Sequence, residues 1–223
     1  MSSKSRFAVV LSGCGVFDGS EIHEAVLVLL AIDRQGGTYQ CFAPDIPQVH
    51  VINHLSGQEI SESRNVLVES ARIARGNIKD LRAYKVTDYD GLIFPGGFGA
   101  AKNLSTVAFD GATCKINTEV ERAIRETRAA GKPIGALCIA PTLIAKVLGA
   151  VEVTIGQDPD CTVMVEKMGA HHQDTSHGEV CTDPETRVVT TPCYMLESTI
   201  SQIATGAENI VQTMIELSQE LYQ

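Results

Sequence analysis

Three short runs carry almost no polar break: Phe7-Ala-Val-Val-Leu11, Gly91-Leu-Ile-Phe94 and Pro133-Ile-Gly-Ala-Leu137. A strand with one wet face alternates apolar and polar residues, whereas a strand covered on both faces does not. Continuous runs of this length therefore predict strands of a parallel sheet. Segments of helical period lie between them. Glu21 to Arg34 is strongly apolar and closes at Gly36-Gly37, Arg64 to Arg75 stops at Gly76, and Thr118 to Ala130 is amphipathic and stops at Gly131. Strand and helix in repeated alternation imply one α/β domain over residues 1–223, with a doubly wound, mostly parallel sheet and helices on both faces.

Other elements are weaker. Thr38 to Ala43 reads as the second strand, with Ser20 as the N-cap of the helix before it. Leu81 to Lys85, Val151 to Ile155, Glu179 to Cys181 and Arg187 to Thr191 read as further strands, and Leu196 to Leu221 as the last helix. Pro44 to Ser61 reads as an irregular excursion. His171, His172 and His177 fall in what reads as a solvated loop, without the cysteine pairs of a zinc finger.

The third apolar run delivers Cys138 at its C-terminal end, and Pro141 follows at a position suited to the first turn of a helix. A sharp turn there exposes the thiol to the unpaired N–H groups of that helix, which predicts a thiolate-favouring site. In a parallel sheet, loops at the carboxyl ends of strands gather at one edge. Three such loops are Ser12 to Glu24, Pro95 to Ala101 and Cys138 to Pro141. Gly96 and Gly97 remove side chains beside the thiol, so backbone N–H groups there and at Ile139 form a candidate oxyanion hole. Glu21 and Glu24 share one face at the start of the first helix, and a carboxyl held against the thiol would have its pKa raised and serve as acid and base. Cys14, in the first of these loops, is expected near Cys138 and is a candidate resolving thiol.

A net charge of −9, with only 18 Lys and Arg, argues against nucleic acid and anionic membranes as partners. No run approaches the roughly 20 apolar residues of a membrane span. Met1 to Arg6 lacks the pattern of a secretory signal, so a cytoplasmic location is expected. Seven scattered cysteines, with no C-x-x-C, predict neither disulfides nor a metal site.

With these residues in view, the chain resembles the PfpI/ThiJ superfamily. The runs Leu11 to Ala25, Pro95 to Leu104, Cys138-Ile-Ala-Pro141 and Thr190-Thr-Pro192 look like its ElbB-like group, the isoprenoid-biosynthesis glyoxalases with an amidotransferase-like domain. The resemblance implies a flavodoxin-like fold of the class I glutamine amidotransferase kind. It also implies cofactor-free conversion of glyoxal, a small dicarbonyl, to glycolate, or repair of aldehyde-modified protein groups, and a homodimer. By position, Cys138 matches the nucleophile, Gly97 the oxyanion-hole glycine and Glu24 the acid/base, with Glu21 as the fallback. Two departures matter. Ile139 stands where peptidase-like members have histidine, and Ala140 stands where amidotransferases have the second glycine of Gly-x-Cys-x-Gly, although His177-Gly-Glu179 fits their downstream His-x-Glu. A different class of function, an oxidant sensor built on Cys138, uses the same thiol.

Overall fold

The computed structural model describes residues 4–220, and its frame is a seven-stranded sheet. In chain order the strands are β1 (Arg6–Val10), β2 (Thr38–Ala43), β3 (Ile78–Asp80), β4 (Gly91–Phe94), β5 (Ile134–Leu137), β6 (Cys181–Asp183) and β7 (Val188–Thr191). They lie in the order β6-β7-β5-β4-β1-β2-β3. Every neighbouring pair is parallel except the edge pair of β6 with β7. Val9 sits opposite Cys41 on one side and Ile93 on the other, and Ile93 opposite Gly135, so the apolar runs stand shoulder to shoulder.

Besides a single turn at Val107–Asp110, the helices are α1 (Ile22–Arg34), α2 (Val66–Ile73), α3 (Phe98–Lys102), α4 (Thr118–Ala129), α5 (Pro141–Leu148), α6 (Pro159–Lys167) and α7 (Ile200–Glu220). The two-residue period of the strands divides the interior into two layers. Phe7, Val9, Ile93 and Leu137 pack with Val28 and Ile32 of α1 and with Ile210 and Met214 of α7. Ala8, Val10, Leu92, Phe94 and Ile134 point the other way, onto Val120 and Ile124 of α4 and Leu143 and Ile144 of α5. Both sheet faces are thus covered, which is the doubly wound, amidotransferase-like arrangement expected. Each large aliphatic side chain buried this way is worth roughly 1.5–3 kcal/mol, so the unbroken runs stabilise the sheet they predict.

Several local expectations are corrected. Glu21, not Ser20, caps α1: its side chain accepts the Glu24 N–H at 2.7 Å. Ser20 Oγ instead accepts the Ser12 N–H at 2.9 Å and ties down the loop after β1. The strongly apolar first helix would have to be well covered to stay in water, yet Ile22, Val26 and Leu30 are exposed. The strand expected at Leu81–Lys85 comes earlier, as β3, because the Asp80 carboxylate accepts the Arg82 N–H and turns Leu81–Ala83 into a 3-10 helix. The excursion contains a small antiparallel pair, Ile52–Asn53 with Gln58–Glu59. His171 and His172 are not loop but a short strand parallel to Glu152–Val153, and His172 is nearly buried. Helices α3 and α6 were not foreseen. The last helix begins at Ile200, after a 3-10 turn at Cys193–Met195. Its expected end, Leu221, and the first three residues lie outside the described residues.

Candidate active site

The strand order reverses between β1 and β4, and in open parallel sheets the crevice beyond the carboxyl ends at such a point receives ligands. Cys138 stands there. It follows β5 with φ 59°, a left-handed conformation that few side-chain-bearing residues adopt. The strained turn is held by the Cys138 N–H donating to the Thr191 carbonyl at 3.0 Å and the Ala140 N–H to the Leu137 carbonyl at 2.9 Å. Pro141 then opens α5.

The thiol is only 8% exposed. Burial pushes it well above the usual thiol range, and the Glu24 charge adds to the push. The nearby backbone N–H groups of Gly97 and Ile139 pull the other way. The thiolate-favouring elbow expected from the sequence is therefore corrected: loss of water and a neighbouring carboxyl outweigh the helix N-terminus.

Glu24 is fully buried on the first turn of α1. One carboxyl oxygen accepts the Gly96 N–H at 2.9 Å and the other the Tyr194 N–H at 3.3 Å, and the carboxyl lies beside Cys138. Burial, and after it the nearby Glu21, raise its pKa from 4.5 to about 8. A Cβ on Gly96 would come within 2.5 Å of the Cys138 Cβ and 2.6 Å of the Glu24 Oε2, so only glycine lets thiol and carboxyl meet there. Gly97 has φ 96°, and a Cβ on it would strike the backbone of Gly19–Glu21.

Glu24, Gly96, Gly97, Cys138 and Ile139 come together and Glu21 lines the opening above them as the α1 cap, but the Gly96 N–H expected in the oxyanion hole is taken by the Glu24 carboxyl, which leaves Gly97 and Ile139 as its candidates. A cavity of about 410 Å³ lies over the sulfur. Six of its ten lining residues were not singled out from the sequence. Val16 and Phe98 line it, as do Tyr194 and Met195 from the turn after β7, and Asp158 and Cys161 from the start of α6. The topology held one usable signal: β7 runs parallel to β5, so the loop after Thr191 opens on the same edge.

Other expected neighbours are elsewhere. Cys14 does not line the cavity, and its charged neighbours are Glu69, Arg72 and Asp18, toward α2. The cysteines that share the buried apolar cluster of Cys138 are Cys41 and Cys193. His177 hydrogen-bonds Ser198 at 2.9 Å and is absent from the cavity wall, so His177-Gly-Glu179 supplies no imidazole to the thiol. Among the described residues no group of three His, Cys, Asp or Glu is placed to hold a metal.

No family model matches the chain. It is, however, 50% identical over 224 residues to glutamine amidotransferase-like class 1 domain-containing protein 3, mitochondrial, from Homo sapiens, covering 96% of this chain and 84% of that protein. It is 48% identical to the mitochondrial ES1 protein homolog of Rattus norvegicus, covering 96% and 85%. The crystal structure of an isoprenoid biosynthesis protein with amidotransferase-like domain from Ehrlichia chaffeensis matches with a TM-score of 0.88 at 39% identity, over 95% of this chain and 99% of that one. DJ-1beta of Drosophila melanogaster shares the fold at a TM-score of 0.53 and 16% identity, over 99% and 98%.

The class is thereby that of proteins with an amidotransferase-like fold, a fold that DJ-1beta shares. Within it, the chain belongs to the family of the ES1 proteins and glutamine amidotransferase-like class 1 domain-containing protein 3.

Proposed function

We propose that this protein is a cofactor-independent glyoxalase that converts glyoxal to glycolate. The observation that carries the reading is the buried pair of Glu24 and Cys138, a proton-holding carboxyl set beside a thiol across Gly96, with the backbone of Gly97 and Ile139 next to the thiol. As the sulfur bonds to one aldehyde carbon, its proton passes to the Glu24 carboxylate and from there to the former carbonyl oxygen, which gives a hemithioacetal and leaves Glu24 a carboxylate again. Glu24 then removes the hydrogen on that carbon, and the electron pair moves toward the second carbonyl to form an enediol. The N–H groups of Gly97 and Ile139 stabilise the oxyanion that develops. Glu24 returns the proton to the second carbon while the hydroxyl proton of the sulfur-bearing carbon passes to the second oxygen, leaving a thioester of glycolic acid. Water cleaves that thioester and frees the thiol. One carbon is oxidised and its neighbour reduced, and water supplies the added oxygen, so the reaction calls for no outside oxidant or reductant.

The test is glycolate formation from glyoxal without additives. Wild type should turn over many times and Cys138→Ala at least about 10³-fold more slowly; equal consumption by the two would end the reading.

An oxidant sensor is supported less well. Sensing favours an exposed, low-pKa thiol, whereas Cys138 is buried and raised. Amide hydrolysis by a Cys-His pair lacks its imidazole. The cytoplasm is the proposed place of work. No helix among the described residues is long and apolar enough to cross a membrane, and the names of the curated relatives describe mitochondrial proteins.

A further inference from the structure

Glyoxal is far smaller than the space above Cys138. Its four heavy atoms displace roughly the volume of two or three liquid waters, about 60–90 Å³, while the cavity holds about 410 Å³. The remaining wall is not built for water. Val16, Phe98, Ile139 and Met195 present apolar side chains to it, and the Tyr194 ring completes the surface. These come from separate stretches of chain, the loops after β1, β4, β5 and β7. Phe98 stays 48% exposed at the rim, an apolar ring left in water where a ligand would cover it.

The charge of the wall is one-sided. Its ionisable carboxyls are Glu21 and Asp158, with Glu24 beneath, and neither lysine nor arginine lines it. Lys102, which stacks over Phe98, donates its ammonium to the Phe17 carbonyl at 3.0 Å. An anion in the cavity would meet the carboxylates of its wall, while the neighbouring cation, Lys102, stays at the rim beside Phe98.

We propose that this outer part of the cavity is a subsite for an uncharged apolar substituent, of about the size of a phenyl ring, carried on the second carbonyl carbon of the dicarbonyl. The inference rests on the glyoxalase reading and deepens it: the preferred substrate is a bulky, neutral ketoaldehyde. The atoms balance as for glyoxal. The aldehyde carbon becomes the carboxylate, the ketone carbon becomes the secondary alcohol, and one water is consumed. The product is a 2-hydroxy acid bearing the apolar group. As it becomes an anion on release, the same carboxylates favour its departure.

Phenylglyoxal, its 4-carboxyphenyl counterpart and glyoxal test size and charge in one series. Initial-rate kcat/KM should be at least about 10-fold higher for phenylglyoxal than for glyoxal, since a filled apolar pocket typically discriminates by that much or more. The carboxylate should lower it by at least about 10-fold. Phe98→Ala should reduce the ratio of phenylglyoxal to glyoxal by roughly 5-fold or more. A second measurement needs no turnover: acetophenone should slow alkylation of Cys138 by iodoacetamide, and benzoate should not. Turnover of glyoxal with no preference for phenylglyoxal and no protection by acetophenone would overturn the subsite and leave the glyoxalase reading standing. Protection by acetophenone with no turnover of any dicarbonyl would overturn the glyoxalase reading and keep the apolar site. Equal rates for phenylglyoxal and its carboxylate would refute the argument from charge.

Discussion

Glu24 illustrates how one buried carboxyl sets both a rate and a stability. With a pKa raised from 4.5 to about 8, most of it carries a proton at neutral pH, and the base needed to take the thiol proton is the minor form. Wild-type kcat/KM should therefore rise as pH climbs from 6 and level off above about 8. Glu24→Gln, which holds the geometry but cannot accept the proton, should lose at least about 10²-fold and flatten the profile. Stability runs the other way. Between pH 4.5 and 8 the folded chain holds a proton at Glu24 that the unfolded chain has released, so this residue's contribution falls as pH rises through that window. At pH 7 the cost is roughly 3 kcal/mol. Thermal melting should thus show Glu24→Gln gaining several degrees over wild type at pH 8 and little at pH 5. A gain independent of pH would point to packing instead of protonation.

At the level of elements, the most legible parts of the chain were those under the strongest local constraint. The unbroken runs of β1, β4 and β5 allow only a strand covered on both faces, and the glycines after α1, α2 and α4 mark turns that need left-handed backbone. Strand ends put Cys138, Gly97 and Glu24 at one edge before any coordinates were known. What stayed hidden is tertiary in origin. Short α3 and α6 have no periodicity to reveal them, and Tyr194 reaches the site only because the turn after β7 folds back over α1, where its N–H finds Glu24. The thiol's raised pKa was misread for the same reason, since burial belongs to the assembled site and not to the elbow. Gly97 offers a direct test of how tightly these loops are fitted. With φ 96° and the backbone of Gly19–Glu21 against its missing side chain, Gly97→Ala must push apart the loops that follow β1 and β4. We expect a loss of roughly 2–4 kcal/mol in denaturant unfolding, with glyoxal turnover falling in the protein that remains folded.

For the whole molecule, the open question is what covers α1. Its inner face is buried against α7 and the sheet, but Ile22, Val26 and Leu30 recur every four residues and form a stripe left 43%, 45% and 37% exposed. Val68 on α2 and Leu55 in the excursion after β2 are also exposed, at 62% and 98%. Single exposed apolar residues are ordinary on a soluble protein, whereas an aligned ridge on the same helix that carries Glu24 is a self-complementary surface of the kind a two-fold axis uses. We propose a homodimer in which α1 of each copy packs on its mate. A stable interface of ordinary size buries about 800 Å² on each partner, more than three side chains provide, so neighbouring surface must join the stripe. Light scattering at micromolar concentration should give twice the chain's 23.9 kDa. Replacing Val26 and Leu30 together with glutamate should yield the single-chain mass with an unchanged circular dichroism spectrum, because both side chains already face water in one copy. A wild-type monomer would refute the dimer, and a dimer that survives the double substitution would place its interface away from α1.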